Sequence, residues 1–320
     1  MIYNSFNFLV LFPLIFLLYY VIPAKYQKIR NWFLLLISYA LYISWKPVFA
    51  LVLLGVTLIT FWGGLILVDG EKGKARKRKR RLVWLFVFLE LLPLLVFKYY
   101  NFLNEVIHGG LATAGLQLAL PGLNWAVPVG ISFFTFQAIG YMLDVYYGRI
   151  KAERNLTDYL LFVSFFPSIL SGPINKAALV LPQIKNLRTH FDYDKAVKGL
   201  KIILWGMFMK VVVADRVALY VDAVLPNYMN YTGVTCFIAS IFYTIQIYAD
   251  FAGYSLMAIG VGKVLGFELT ENFRRPYFAV SVTDFWRRWH ISLSTWLKDY
   301  VYIPMGVVDV QRCTITGIYS

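Results

Sequence analysis

Long apolar runs separated by short basic clusters make up most of this chain. "SFNFLVLFPLIFLLYYVI" (Ser5 to Ile22) comes first, then "NWFLLLISYALYISW" (Asn31 to Trp45), closed by Lys46-Pro47. "VFALVLLGVTLITFWGGLILV" (Val48 to Val68), "RLVWLFVFLELLPLLVFKYY" (Arg81 to Tyr100) and "AVPVGISFFTFQAIGYMLDVYY" (Ala126 to Tyr147) follow. A helix of about 20 apolar residues crosses a bilayer, so each run predicts a transmembrane helix. The first run lacks the charged start and small-residue cleavage site of a signal peptide and reads as retained. Pro93 predicts a kink in the fourth.

The next apolar stretch, "YLLFVSFFPSILSGP" (Tyr159 to Pro173), is short and interrupted by Pro167 and Gly172-Pro173. It predicts a re-entrant or half-inserted segment. Gly199 to Val221 and Val234 to Gly266 read as the last spans, the latter long enough to tilt or bend.

Composition agrees: of 320 residues, 59% are hydrophobic and 15% charged, outside the usual range of soluble domains. Cys236 and Cys313 offer neither a disulfide framework nor zinc spacing. The net charge of +14 suggests nucleic acid only if position is ignored. Lys25, Lys28 and Arg30 follow the first run, and "EKGKARKRKRR" follows the third. Arg149, Lys151 and Arg154 follow the fifth, Lys176 to Lys201 carry another cluster, and Lys263, Arg274, Arg275, Arg287 and Arg288 come last. With the N-terminus outside and Tyr159–Pro173 returning to its side of entry, every cluster is cytoplasmic. The intervening stretches Asn101 to Trp125 and Asp222 to Thr235 contain no lysine or arginine. This is the positive-inside pattern, and it makes the basic run a topology anchor facing anionic lipid rather than a nucleic-acid arm.

Charges at membrane depth are costly and mark either function or fastening. Glu90 and the Lys210, Asp215, Arg216 group read as interhelical bonding that holds the bundle together. Tyr243, Gln246, Asp250 and Tyr254 fall on one helical face and read as the wall of a polar passage or reaction chamber.

"DFWRRWHISLSTWLKDYVYIPMG" (Asp284 to Gly306) is the densest chemistry in the chain. Read as one helix, it puts Trp286, Trp289, His290, Leu293 and Leu297 on one side, with Arg287 and Arg288 beside them. Tryptophan with arginine suits the headgroup layer. The histidine admits two readings, a base near neutral pH or a ring bonded to a neighbouring carbonyl. His108 and His190 lie in polar loop sequence. No metal-ligand spacing, P-loop or dinucleotide fingerprint is present.

The block from Tyr248 to Gly306, "YADFAGYSLMAIGVGKVLGFELTENFRRPYFAVSVTDFWRRWHISLSTWLKDYVYIPMG", resembles the centre of the membrane-bound O-acyltransferase (MBOAT) family. The match is with its bacterial, alginate-type polysaccharide O-acetylation branch. The opening runs and "FFPSILSGPI" resemble it too, so residues 1–306 read as one domain of that kind. The resemblance implies an all-α polytopic fold, a ring of tilted helices around a tunnel, in the bacterial cytoplasmic membrane. It implies transfer of an acyl group, by expectation acetyl, from a cytoplasmic donor such as acetyl-CoA or another acyl carrier. The acceptor is a polysaccharide hydroxyl or an extracytoplasmic acetyltransferase partner, and no cofactor or metal is bound. D-alanyl transfer to teichoic acid, a polar-lined transporter or flippase, and a non-catalytic remnant that only recruits partners stay open as alternatives.

The family uses two histidines, and His290 matches the one in its tryptophan–arginine motif, where it orients the acyl group or polarises its carbonyl. Gln246, Asp250, Tyr254, Trp286, Arg287, Arg288 and Trp289 are then expected to line the tunnel or meet substrate, with Arg274 and Arg275 near donor phosphates. The second histidine, the expected base, has no counterpart here. Residues 307–320, "VVDVQRCTITGIYS", match neither the family nor a further span and read as a truncation or frameshift.

Overall fold

The computed structural model describes residues 6–68, 74–113, 126–169, 172–186 and 190–306; the tail 307–320 lies outside the described residues. Those residues are helical or irregular, with no strand among them. Pro47–Ile66, Arg78–Ile107 and Gly233–Val264 are each long and apolar enough to cross a membrane. Phe8–Val21 and Ala24–Ile43 qualify only as a pair, bent by 102° at their break.

That bend corrects the expectation of two separate spans at the start. Helix α1 (Phe6–Val21) ends before Pro23, whose extended backbone turns the chain into α2 (Gln27–Ile43). Arg30 sits in the corner rather than among solvated cations. It is 2% exposed, donates from Nε and Nη2 to the Ile22 carbonyl at 2.9 and 2.7 Å, and lies over the Tyr19 ring. The guanidinium thus satisfies a carbonyl that the bend takes out of the helix.

Helix α3 (Pro47–Ile66) matches its expected span. Helix α4 (Lys74–Leu94) runs through a π-helical turn, Leu95–Tyr99, into α5 (Tyr100–Thr113). The stretch expected as a loop from Asn101 therefore begins as helix, and the 30-residue span Arg78–Ile107 is about 45 Å long, more than a bilayer core. Glu90 is fully buried, and neither carboxylate oxygen finds a partner among the described residues, so it does not fasten neighbouring helices as expected.

Helix α6 (Ile131–Tyr146) starts five residues later than the sequence suggests, after Pro128 and the left-handed Gly130, and its 16 residues are too few to span alone. The interrupted segment that follows is two short helices, α7 (Leu156–Ser164) and α8 (Phe166–Ile169), buried throughout α8 and most of α7. Asn155 caps α7 by accepting from Thr157 N–H, and Gln137 of α6 donates to the Phe162 carbonyl at 2.7 Å near the break. Buried irregular backbone at this depth is tolerated because side chains satisfy it. Residues 170–171 of this segment lie outside the description.

Beyond α9 (Ala177–Asn186), helix α10 (Tyr193–Met207) continues through a π-helical turn, Phe208–Ala214, into α11 (Asp215–Val224). This continuous stretch packs antiparallel on α12 (Gly233–Val264). Its charged residues keep it off the set of helices apolar enough to span by themselves. Glycines bring the backbones together: a Cβ on Gly206 would lie 2.7 Å from the Gly253 carbonyl oxygen, and one on Gly260 2.7 Å from that of Gly199. Small residues at seven-residue spacing on both helices make a seam of direct backbone contact.

The chain leaves α12 at left-handed Gly266 and crosses back as an extended segment. Gln183 of α9 and Glu268 exchange hydrogen bonds at 2.8 and 2.9 Å, and Thr270 N–H donates to Asn175. Helices α13 (Val282–Arg288) and α14 (Ile291–Leu297) close the described chain, the latter running into a π-helical turn, Lys298–Tyr302.

Candidate functional site

The single helix expected across Asp284 to Gly306 is broken at its chemical centre. Ser281 caps α13 through Asp284 N–H; the helix stops at Arg288, Trp289 is extended, and His290 takes φ 43°, ψ 54°. Left-handed backbone at a non-glycine residue carries strain of about 1–3 kcal/mol and persists where surrounding structure enforces it. Here the enforcement is visible. Arg274 N–H donates to the Arg288 carbonyl at 3.0 Å, and Ile291 N–H donates to the Asn272 carbonyl at 2.9 Å. The segment after α12 is thus stitched to both sides of the break.

The break separates the tryptophan face. His290 turns inward against Phe251 of α12 at 4.7 Å between ring centroids, edge to face, with Phe133 of α6 and Phe273 each at 6.4 Å. Trp289 packs on Phe273, Phe285, Tyr248 and Tyr277. Trp286 and Arg287 remain exposed. Arg288 turns back to Asp284, Nε to Oδ1 at 2.9 Å, and this bond holds the Asp284 carboxyl below the usual carboxylate range. Tyr277 Oη donates to the Thr244 carbonyl at 2.6 Å, anchoring the segment to α12.

His290 Nδ1 is buried without a partner among the described residues, which leaves the neighbouring-carbonyl reading without support. Burial among the rings pushes the imidazole down from 6.5 to about 4. The ring is therefore neutral at pH 7, but its conjugate acid lies well below the near-neutral range expected of a base. A group so poised is a weak proton acceptor and a serviceable N–H donor.

The polar stripe on α12 forms a second cluster. Lys210, in the π-helical turn, reaches Asp250 at 2.6 Å and Asp215 at 2.8 Å, and its ammonium lies 5.3 Å from the Tyr254 ring centroid. Five residues apart on an α-helix, Lys210 and Asp215 would point about 140° away from each other; the wider π turn brings them together. The fastening expected of this group is present, with lysine as its hub and Asp250 as its far end, while Arg216 stays exposed. Gln246 Oε1 is buried and has no partner among the described residues. Tyr243 is exposed.

A small pocket of about 10 Å³ adjoins α14, lined among others by Gln137, Asn175, Lys176, Ser292 and Tyr300. His290 is not in its wall. Among the described residues no cluster of His, Cys, Asp or Glu has metal-binding geometry. His190 is exposed, and the His108 side chain and Cys313 lie outside the description.

The aromatic wall of Phe133, Phe251 and Phe273, and Asn272 beside it, are site residues that the apolar pattern hides. Phe133 and Phe251 read as ordinary span residues, and nothing in the local sequence marks the left-handed turn that gathers them.

Comparison with known proteins shows what the chain is similar to. The model of "MBOAT, membrane-bound O-acyltransferase family" matches residues 147–312. "Probable alginate O-acetylase AlgI" of Pseudomonas syringae pv. tomato is 40% identical over 96% of this chain and 58% of its own length. The peptidoglycan O-acetyltransferase of Helicobacter pylori is 32% identical over 95% of this chain and 61% of its own. The teichoic acid D-alanyltransferase of Bacillus subtilis is 28% identical over 94% and 74% respectively. The chain spans between 57% and 61% of the length of the alginate-type relatives it matches.

Proposed function

This chain belongs to the membrane-bound O-acyltransferase family, and on that premise we propose that it moves an acetyl group from a cytoplasmic donor to a polysaccharide hydroxyl or a partner acetyl carrier. Identity near 40% with the alginate-type relatives, against 28% with the D-alanyl relative, supports acetyl over D-alanyl. The proposed setting is the bacterial cytoplasmic membrane with the N-terminus outside, which requires the bent α1–α2 pair to return to its side of entry; the lysine- and arginine-rich run that precedes Arg78–Ile107 then faces the cytoplasm. The helices would form a ring around a tunnel, with Gln246, Asp250 and Tyr254 on its wall. Arg274, Arg275 and Arg287, all exposed on one segment, would meet the phosphates of acetyl-CoA. Trp286, Trp289 and Arg288 would shape the entrance.

The observation that carries this reading is His290: a neutral imidazole, forced into left-handed backbone, walled by three phenylalanines, with Nδ1 unbonded among the described residues. The acceptor hydroxyl oxygen attacks the acyl carbonyl carbon, the bond to the donor sulfur breaks, and the hydroxyl proton departs with the thiol. A neutral His290 donates a ring N–H to the carbonyl oxygen as it gains charge, and the aromatic wall keeps competing water away.

The test uses the full chain in proteoliposomes with acetyl-CoA labelled in the acetyl group and alginate oligosaccharide as acceptor. Wild type is expected to label the acceptor, and His290→Ala to lose at least about 100-fold in rate at equal protein level. Equal labelling by both, or none by wild type, would refute the proposal.

A further inference from the structure

Lys210 stands between two carboxylates, 2.6 Å from Asp250 and 2.8 Å from Asp215. One ammonium against two carboxylates leaves the group one negative charge in excess. Among the described residues no other cation lies within ion-pair distance of either aspartate. Arg216, next to Asp215 in the chain, falls about 100° further round the helix and is exposed. The lysine side chain is only 15% exposed, whereas those of Asp215 and Asp250 are 42% and 45% exposed. The excess charge therefore lies on the open face of the α11–α12 pair and not in its glycine seam.

Helix α12 fixes the depth of that face. Asp250 is the eighteenth of its 32 residues, and the helix is about 48 Å long, so a membrane-crossing α12 carries this carboxylate near the bilayer centre. The side chains around it are apolar and exposed. Tyr243 and Ile247 precede Asp250 along one stripe of α12, and Leu219 follows Asp215 by one turn of α11. Tyr220 and Phe242, 5.3 Å apart between ring centroids, hold the two helices level there. Exposed carboxylates in an apolar frame are costly against acyl tails at this depth. What complements them is a second apolar helix that brings a positive charge.

We infer that this face of α11 and α12 docks a transmembrane helix bearing a lysine or arginine near its middle. Its cation offsets the excess charge of the Lys210 group, and its apolar sides cover Tyr243, Ile247 and Leu219. In the ring of helices proposed above, this helix is the neighbour that closes the tunnel at Asp250. The inference does not rest on the acyl-transfer reading, and its test reads binding alone, so a chain without transferase activity leaves it standing.

The experiment reconstitutes the full chain in phosphatidylcholine vesicles. It adds dansyl-labelled transmembrane peptides of leucine and alanine that differ only in the central residue, which is arginine, leucine or glutamate. Energy transfer from the protein's tryptophans reports binding. The arginine peptide is expected to bind about 5–30-fold more tightly than the leucine peptide, as for a polar contact between membrane helices, and the glutamate peptide no better than the leucine one. Asp215→Asn combined with Asp250→Asn is expected to bring the arginine preference within about twofold and to leave binding of the leucine peptide unchanged. The three peptides on wild type carry the test should that variant fail to accumulate. Equal binding of the arginine and leucine peptides, no binding of the arginine peptide, or a gain shared by glutamate overturns the inference. A preference for arginine that survives the double substitution overturns it too.

Discussion

Adding one methyl group to Gly253 tests the helix seam directly. A Cβ there would lie 2.8 Å from the Gly206 carbonyl oxygen, 3.1 Å from Lys210 N and 3.2 Å from Lys210 Cβ. The first neighbour is backbone and cannot swing aside, so the two helices must part. Parting also stretches the 2.6 Å contact between Lys210 and Asp250. Overpacking of this kind costs about 1–3 kcal/mol, against which alanine's better helix propensity returns up to about 1 kcal/mol. Gly253→Ala should therefore lose up to about 2 kcal/mol net. Gly55, in α3, has nothing among the described residues within 4 Å of the same added atom, so Gly55→Ala keeps only the propensity gain of up to about 1 kcal/mol. Unfolding of both variants in mixed micelles by increasing dodecyl sulfate, followed by tryptophan fluorescence, should move the two midpoints in opposite directions. Shifts of the same sign would show that the close backbone approach does not govern this interface.

Two further outcomes are expected. His290 is depressed from 6.5 to about 4 in the fold, so the unfolded chain takes up its proton first: stability is full above pH 6.5, falls as pH drops from 6.5 to 4, and loses roughly 3 kcal/mol in all. His290→Gln should flatten that limb of the difference curve, and parallel curves for the two proteins would refute it. Glu90→Leu removes a buried carboxyl whose oxygens bond to nothing among the described residues and should raise stability by about 1–3 kcal/mol in the same micelle assay; a loss would mean that Glu90 has a partner in the membrane.

Much of the scaffold was legible in the apolar pattern because a bilayer imposes a length on each run. Pro47–Ile66 and Gly233–Val264 fall within a few residues of where hydropathy put them. The misplacements have local causes. Pro23 and the buried Arg30 turn the first two runs into one corner, which hydropathy cannot register because it averages over the turn. Helix α6 starts late because Gly130 adopts a conformation that composition does not advertise. At the site, the tryptophan, arginine and histidine of residues 286–290 were visible as chemistry, yet the periodicity argued for one unbroken helix. Two long-range backbone bonds, from Arg274 and to Asn272, override that periodicity, and bonds between distant segments leave no trace in a local window.

The widened turn at Phe208–Ala214 also has a consequence for the chain's numbering of faces. Such a turn accommodates one residue more than an α-helix would, so it acts as a phase shift of about 100° for all that follows. Removing a single valine from Val211–Val213 would restore plain helical winding and leave Lys210 and Asp215 four residues apart, about 40° from each other, so their contact would survive. The bulge therefore carries an extra residue without re-aiming the second half of this helix, and a one-residue deletion within it should disturb the pairing with α12 less than a deletion in the α-helical turns on either side.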